Sequence, residues 1–178
     1  MAVEGEQDPP ALALPATRDE AWFDALFAAY AQQVHRYFLR RTAADDAEDL
    51  AADVLATAWR RRDDVPAGFE LAWLYRSAGF VLANHRRKSR PTPLAQLPDD
   101  DSDPLSDPAE IVVDDEAVRE VLNRLSARDR HVLLLNVWEG LDGEGLAQAL
   151  GLSRGGAAAA LSRARARLRE HWQERVEP

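Results

Sequence analysis

Apolar residues recur at three- and four-residue steps along most of the chain, which is the pattern of amphipathic helices. The first such segment follows Thr17 and Glu20, a pair whose spacing fits a capping box at a helix start. No segment alternates between apolar and polar positions as a half-buried strand does, so an all-α fold is predicted. The apolar face of the first helix comprises Trp22, Phe23, Leu26, Phe27, Tyr30, Val34, Tyr37 and Phe38.

Two further helices are predicted in the first half of the chain. The second spans about 44–61, with acids in its first turn and arginines at its end, and both placements suit the helix dipole. A loop with Pro66 and Gly68 separates it from a third helix over about 70–88. The inward residues of these two helices are Leu50, Val54, Leu55, Ala58 and Trp59, then Trp73, Leu74, Ala78, Val81 and Leu82.

The helical pattern stops at Pro91 and resumes only after Glu116. Residues 99–116 contain nine acids and no base, and prolines are frequent nearby, so an extended acidic linker is predicted. Four shorter predicted helices follow. They cover about 117–125, a segment capped by Ser126 and running to about Trp138, about 141–150, and a segment capped by Ser153 and running to about Glu174.

This pattern divides the chain into two small helical domains and two acidic segments. The division is a disordered acidic tail over 1–20, an N-terminal domain over 21–92, the linker over 93–116 and a C-terminal domain over 117–175. The net charge of −9 argues against a nucleic-acid partner only when it is read as a total. Most of the excess acid lies in the tail and the linker, and each folded domain carries a slight excess of bases.

The composition also excludes several classes of protein. With no cysteine, the chain can form neither disulfides nor thiolate metal sites. The four histidines are scattered without ligand spacing, and no phosphate loop or nucleophile motif occurs, so no metal, cofactor or catalytic residue is predicted. No apolar run approaches the roughly 20 residues that span a bilayer. The start of the chain lacks the features of a signal peptide, so a cytoplasmic protein without membrane insertion is predicted.

Residues 143–153 have the layout of a helix-turn-helix. Leu146 and Leu150 would face inward from a short helix, Gly151 would supply the left-handed turn, and Ser153 would cap the second helix. In this motif the second helix enters the major groove of DNA with its N-terminal residues at the base edges. A plain helical hairpin with a central glycine is the alternative.

Arginines follow along this second helix, flanking its predicted buried residues. Arg163 and Arg167 form one pair, and Arg165 and Arg169 form the other, so the two pairs could straddle DNA phosphates. A solvated helix end that complements the helix dipole is the alternative interpretation.

The third helix carries aromatic residues followed by a dense basic cluster. Trp73 and Tyr75 precede the segment 84–90, which holds four arginine or lysine side chains and His85. Aromatic rings can stack on unpaired bases while cations hold the phosphate backbone, which suits melted DNA. Alternatively, the aromatic residues belong to the core and the cations form only a charged helix end.

The second helix opens with acids at 45–49, followed by Asp53. These acids could form a docking face for a basic partner. The alternative is an ordinary helix start in which acids match the positive end of the dipole.

Taken together, three segments resemble the extracytoplasmic-function (group IV) sigma factors over roughly residues 21–175. Their order and spacing follow that family. The matching motifs are Ala47-Glu-Asp-Leu50 through Thr57-Ala-Trp-Arg60, then Ala72-Trp-Leu-Tyr-Arg76, and finally Leu125-Ser-Ala-Arg-Asp-Arg130 with Glu139-Gly-Leu141 and Leu161-Ser-Arg-Ala164.

The resemblance implies a sigma factor that binds core RNA polymerase through its clamp and beta-flap and directs initiation at promoter DNA. It also implies an anti-sigma factor as a partner. The polymerase clamp would bind Asp46, Glu48, Asp49 and Asp53. The minus-10 element would be melted and held by Trp73, Tyr75, Arg76, Phe80, Asn84, Arg86, Arg87, Lys88 and Arg90. The minus-35 element would be read by Ser153, Arg154, Gly155, Ala158, Ser162, Arg163, Arg165 and Arg167.

Two places depart from the pattern of the family. Residues 156–160 read Gly-Ala-Ala-Ala-Ala where polar and basic residues are usual, and Gly79-Phe80 replaces an asparagine used in base capture. Alanine can contact a thymine methyl, and Phe80 could stack on a flipped base or pack in the core. Two other functions therefore stay open: a stand-alone helix-turn-helix regulator, and a degenerate sigma-like adaptor or decoy.

Overall fold

A computed structural model describes residues 14–89, 113 and 115–176 of the chain. Within these residues it contains seven α-helices and no strand, which confirms the all-α prediction. A short 3-10 turn, Arg62–Asp64, joins α2 to α3. The helices are α1 (Glu20–Leu39), α2 (Ala44–Arg60), α3 (Glu70–Ser89), α4 (Glu116–Arg124), α5 (Ala127–Val137), α6 (Gly143–Leu150) and α7 (Arg154–Val176).

The first helix begins differently from the prediction. The carboxylate of Asp19 accepts a hydrogen bond from the amide of Trp22 at 3.2 Å, so Asp19 is the N-cap. The capping box of Thr17 and Glu20 was a wrong prediction, because Glu20 is already the first helical residue and Thr17 lies outside the first turn.

The serine caps of α5 and α7 are confirmed. Ser126 Oγ accepts the amide of Asp129 at 3.1 Å, and Ser153 Oγ accepts the amide of Gly156 at 3.1 Å. Each cap satisfies a backbone donor that a helix start leaves free.

Residues 14–19 pack on the N-terminal helices. The guanidinium of Arg18 lies 4.6 Å from the centre of the Trp22 ring and donates to the carbonyl of Val65 at 2.9 Å. In return, Arg62 Nε donates to the carbonyl of Arg18 at 2.9 Å. These six residues therefore belong to the fold and not to the predicted acidic tail, whose residues 1–13 lie outside the described part.

The first three helices form one packed unit whose centre is aromatic. Trp22 and Phe38 of α1 are fully buried, as is Leu74 of α3. Phe27 was predicted to face inward, but 51% of its surface is exposed. That prediction was wrong because α1 is apolar on more than one side, and only one side faces α2 and α3.

Helices α4 to α7 contain the predicted helix-turn-helix, formed by α6 and α7. Gly151 ends α6 with φ of 63°, a left-handed conformation that favours glycine. Leu152 follows it and donates its amide to the carbonyl of Ala147 at 3.0 Å, which closes the turn. Ala164 of α7 is fully buried in a small apolar core with Leu133 of α5.

The two helical units pack against each other. One continuous apolar core includes residues of α1, α2 and α3 together with Leu146 and Leu150 of α6 and Ala157 of α7. α3 lies along α6. At the end of α6, the guanidinium of Arg76 lies so close to Gly151 that an added Cβ would overlap with it.

Replacing Gly151 by alanine is expected to destabilise the fold by about 1–2 kcal/mol, because alanine is strained at the positive φ of this position. The exposed, flexible end of Arg76 can move away from the added Cβ, so it should contribute little. Urea unfolding of the wild type, Gly151→Ala, Arg76→Ala and the double variant measures both effects. A loss that largely disappears when Arg76 is also replaced would contradict backbone strain as the cause.

Candidate nucleic-acid and polymerase interfaces

One face of α3 presents aromatic and basic side chains together. Trp73 is half-buried, Arg76 and Arg87 are exposed, and Phe80 is 46% exposed. Their spacing of three, four and seven residues places them along one side of the helix. These four residues, the minus-10 face, combine rings that can stack with cations that can hold phosphates.

Three residues of the minus-10 face, Trp73, Arg76 and Phe80, border a cavity of about 500 Å³. Its walls come from α3, from the turn after α2 and from α6. The lining residues are Arg61, Asp64, Trp73, Arg76, Ser77, Phe80 and Gln148.

Two residues predicted for this surface have other places in the fold. Tyr75 is 2% exposed, and its ring stacks on that of Tyr37 at 5.6 Å between centres, so its assignment to DNA does not fit the structure. Burial is the main cause that raises the pKa of Tyr75. Arg86 donates to the carbonyl of Arg41 at 2.9 Å and so supports the end of α1. Arg90 lies outside the described residues.

The remaining predicted residues of α3 are accessible. Arg87 donates to the side chain of Asn84 one turn earlier, and both are exposed, as is Lys88. The end of α3 thus presents cations to solvent beside the minus-10 face.

The N-terminal part of α7 exposes few polar side chains. Ala157 and Ala160 are buried against α6, which explains half of the alanine run as packing. The outward residues of this part of the helix are Ser153, Arg154, Gly155, Ala158, Ala159, Ser162 and Arg163.

Two of the arginines further along α7 bind within the chain. Arg165 Nη2 donates to Asn136 Oδ1 at 2.8 Å, and Arg167 pairs with the carboxylate of Asp129. Asp129 is buried, so the second contact ties α7 to the start of α5. Both arginines were predicted to contact DNA, and their positions show a packing role as well.

The acids of α2 lie on its outer side. Glu48, Asp49 and Asp53 are exposed, and Asp46 lies 3.5 Å from His85 Nε2. Next to them runs an apolar groove of about 600 Å³ between α1 and α2. The groove is lined by Glu20, Phe23, Asp24, Phe27, Ala52, Leu55, Ala56 and Trp59.

A second apolar groove, of about 550 Å³, lies in the C-terminal unit between α4, α5 and α7. Val137 is 68% exposed and Trp172 42% exposed at its edge. Neither groove was predicted from the sequence, although Val137 lies on the same helix as the buried Leu133 and Leu134 and extends its apolar surface outward. The other lining residues are Val113, Val118, Val121, Leu122, Leu133, Leu134, Trp138, Arg165, Leu168 and Arg169.

His131 lies at the contact between the two units. A Cβ on Gly79 of α3 would be 4.0 Å from His131 Cε1, and 3.9 Å from the hydroxyl of Tyr37. Burial, with a smaller contribution from Arg41, lowers the pKa of His131 to about 3. The folded chain therefore holds this imidazole neutral at ordinary pH.

The fold is expected to lose stability as the pH falls below about 6.5, the ordinary pKa of histidine, because the unfolded chain then binds a proton that the folded chain excludes. At pH 5 this effect reaches at most about 2 kcal/mol for His131. Urea unfolding at pH 7.5 and pH 5 should show a smaller loss for His131→Leu than for the wild type. Equal losses in the two proteins would contradict this role of His131.

Within the described ranges, no group of three or more histidine, aspartate or glutamate side chains could hold a metal ion. No described helix is long and apolar enough to cross a membrane.

Family models match both halves of the chain. The model described as Sigma-70 region 2 matches residues 26–92, and that described as Sigma-70, region 4 matches residues 115–168. The chain is 35% identical over 136 residues to an RNA polymerase sigma-E factor of Streptomyces avermitilis, covering 73% of each chain. It is 35% identical over 132 residues to the sigma-E factor of Streptomyces coelicolor, covering 70% of this chain and 71% of the relative.

A solved structure has a similar fold. The structure of the sigma factor RpoE in complex with the anti-sigma factor NepR from Bartonella quintana is similar, with a TM-score of 0.57 and 24% identity. The match covers 85% of this chain and 96% of that chain. The chain therefore belongs to the sigma-70 family of RNA polymerase sigma factors, in its extracytoplasmic-function group, and acts in transcription initiation.

Proposed function

We propose that the two helical units, over about 21–92 and 117–175, bind the minus-10 and minus-35 elements of the promoter, respectively. The minus-10 face of α3 would melt and hold promoter DNA. The observation that carries this proposal is the arrangement of Trp73, Arg76, Phe80 and Arg87 along one accessible side of a single helix. Base stacking on exposed rings is tolerant of sequence, and nearby cations offset the phosphate charge. Such a surface binds single strands in preference to duplex.

The acids of α2 are the proposed contact with the polymerase clamp. Asp49 and Asp53 stand beside the groove that contains Phe27, so an apolar area and an acidic area lie next to each other. A basic, amphipathic surface of the clamp would fill the groove and pair with the acids. Electrostatic complementarity of this kind raises the rate of association and fixes the orientation of the partner.

The groove between α4, α5 and α7 is the proposed site of the beta-flap. It is almost entirely apolar, and its lining also includes Arg165 and Arg169. Amphipathic helices bind in grooves of this kind through side chains spaced three and four residues apart.

The start of α7 is the proposed reader of the minus-35 element. Ser153 and Arg154 are the polar residues nearest its N-terminus, while Gly155 and Ala158 leave room for the DNA to approach closely. Few hydrogen bonds to bases are available, so we propose that this element is recognised mainly through phosphates, thymine methyl groups and DNA shape.

No step of this proposed activity is catalysis by the chain itself. Sigma factors are generally regulators without enzymatic activity. We propose that this chain likewise has no enzymatic activity and that it acts in the cytoplasm. Because the related Bartonella sigma factor is bound by an anti-sigma factor, we also propose an anti-sigma factor as a partner of this chain.

Site-specific photocrosslinking tests these assignments. A photoreactive amino acid would replace Asp53, Phe80 or Ala158, one at a time, and each protein would be assembled with core polymerase and promoter DNA. The expected crosslinks join Asp53 to the polymerase clamp, Phe80 to the minus-10 strand and Ala158 to the minus-35 region. A crosslinker at Arg119, which is exposed on α4 and lies in none of the proposed contact surfaces, serves as the control. Crosslinks from position 80 to polymerase alone would contradict the assignment of α3.

A further inference from the structure

The segment that precedes α1 binds the loop that joins α2 to α3. This loop, residues 61–69, begins where α2 ends and leads directly into the helix that carries the minus-10 face. Arg18 Nη2 donates to the carbonyl of Val65 at 2.9 Å, and Arg62 Nε donates to the carbonyl of Arg18 at 2.9 Å. Each of the two arginines therefore binds the backbone of the other's segment, and the loop is fastened by two reciprocal hydrogen bonds.

The side chain of Arg18 is itself held in place. Its guanidinium carbon lies 4.6 Å from the centre of the buried Trp22 ring, and only 19% of the side chain is exposed. Arg18 Nη1 lies 4.0 Å from Oε1 of Glu70, the first residue of α3. The same carboxylate oxygen accepts the amide of Gly68 at 3.1 Å. One guanidinium therefore contacts α1, the loop and the start of α3.

The same loop forms a wall of the cavity beside the minus-10 face. Arg61 and Asp64 line this cavity together with Trp73 and Phe80, and Arg61 Nε donates to Asp64 Oδ2 at 2.9 Å. Proteins read an unpaired base by stacking rings on it and by forming hydrogen bonds to its edge. For a base held against Phe80, the placement of Arg61 and Asp64 would decide which hydrogen bonds its edge can form.

The loop packs little into the core by itself. Val65 is the only one of its nine residues that is buried. Arg61 and Asp64 are both exposed, and an exposed pair three residues apart contributes little to fixing a loop. A recognition site needs its polar groups held to within about 0.5 Å, which requires support from the residues around it. The contacts of Arg18 supply such support.

We propose that Arg18 is a positioning residue for recognition of the minus-10 element. By fixing the loop 61–69 against α1 and α3, it sets the charged wall of the cavity beside Phe80. The inference rests on the proposed role of α3 in holding the minus-10 strand. It adds to the promoter-reading parts of the chain a residue that precedes the first helix and acts through the loop.

Hydrogen exchange of the free chain measures whether Arg18 holds the loop. In Arg18→Ala, the amides of residues 61–69 should exchange roughly tenfold faster than in the wild type, because the loop backbone loses a hydrogen bond from a charged donor. Arg62→Ala removes the reciprocal bond and should change the exchange in the same direction.

Val34→Ala is the matched control, because it lowers the stability of the same helical unit at a buried site of α1 away from the loop. Exchange of residues 61–69 should stay close to the wild type in this variant, since loop amides exchange through local opening.

Promoter selectivity measures whether the position of the loop matters for recognition. Run-off transcripts would be quantified from a set of promoters that differ from one parent by a single base in the minus-10 element. Arg18→Ala should narrow the range of activities within this set by at least about threefold, while its affinity for core polymerase stays unchanged. Val34→Ala should preserve the ratios between promoters, because a smaller folded fraction lowers all activities equally.

Three results would overturn the role of Arg18. They are unchanged loop exchange in Arg18→Ala, faster exchange with unchanged ratios between promoters, and an equally narrowed range in Val34→Ala. A wild type that gives no discrete transcript would contradict the proposed function itself, and with it the role in selectivity. Exchange is measured without polymerase or DNA, so it would still show whether Arg18 holds the loop.

Discussion

Reversing the charges of Asp49 and Asp53 together, as Asp49→Lys/Asp53→Lys, is expected to weaken binding to core RNA polymerase by at least about a hundredfold. Both side chains are exposed on α2, so the reversal would place two cations opposite the basic clamp surface that we propose as their partner. Opposed like charges at an interface cost several kcal/mol, which is more than the original pairs contribute. Titration of a fluorescently labelled chain with core polymerase measures the effect.

The matched control is Glu144→Lys/Glu170→Lys, which makes the same change in net charge at exposed positions of α6 and α7, away from α2. It should bind polymerase as the wild type does, apart from a small effect that salt removes. An equal loss in both double variants would show that the overall charge, and not the face of α2, governs binding.

Replacing Phe80 by leucine is expected to reduce transcription from duplex promoters by roughly tenfold or more. Stacking of one base on an aromatic ring contributes about 1–3 kcal/mol, and leucine keeps the apolar bulk of Phe80 without a flat ring. Phe80 is 46% exposed, so neither leucine nor tryptophan should disturb the core. Phe80→Trp should keep most of the activity, since it can still stack. Quantified run-off transcripts from one promoter give the comparison.

A template that is already melted over the minus-10 region separates strand capture from strand opening. If Phe80 holds a flipped base, Phe80→Leu should remain impaired on this template, although less than on duplex. Affinity for core polymerase should be unchanged. Full activity of Phe80→Leu on duplex DNA would mean that Phe80 does not stack on a base. Its ring would then only line the cavity, together with Trp73 and Arg76.

The helices could be predicted because their apolar spacing is regular and their ends carry caps, as at Ser126 and Ser153. The face that each helix turns to the core was harder to predict. α1 and α3 carry aromatic residues on more than one side, so periodicity alone could not separate exposed Phe27 and Phe80 from buried Tyr75. Which of these rings is exposed to solvent depends on where the neighbouring helices pack, and that is a tertiary property.

The contact between the two units could not be predicted at all. Glu139 binds Arg40 and Arg41 across nearly a hundred residues of sequence, and acids and arginines are common along this chain. An acidic segment rich in proline intervenes, and such a segment predicts independent domains. The same difficulty applies to Arg165 and Arg167, whose partners lie on α5.

The most direct test of the account is run-off transcription with purified chain, core RNA polymerase and genomic DNA fragments. We expect discrete start sites that share upstream elements and require both proteins. They should be lost when exposed Arg87 and Lys88 are replaced by alanine, while polymerase binding persists. Polymerase binding without any discrete start would contradict the account and favour a decoy. Specific binding to duplex DNA without polymerase would favour a stand-alone regulator.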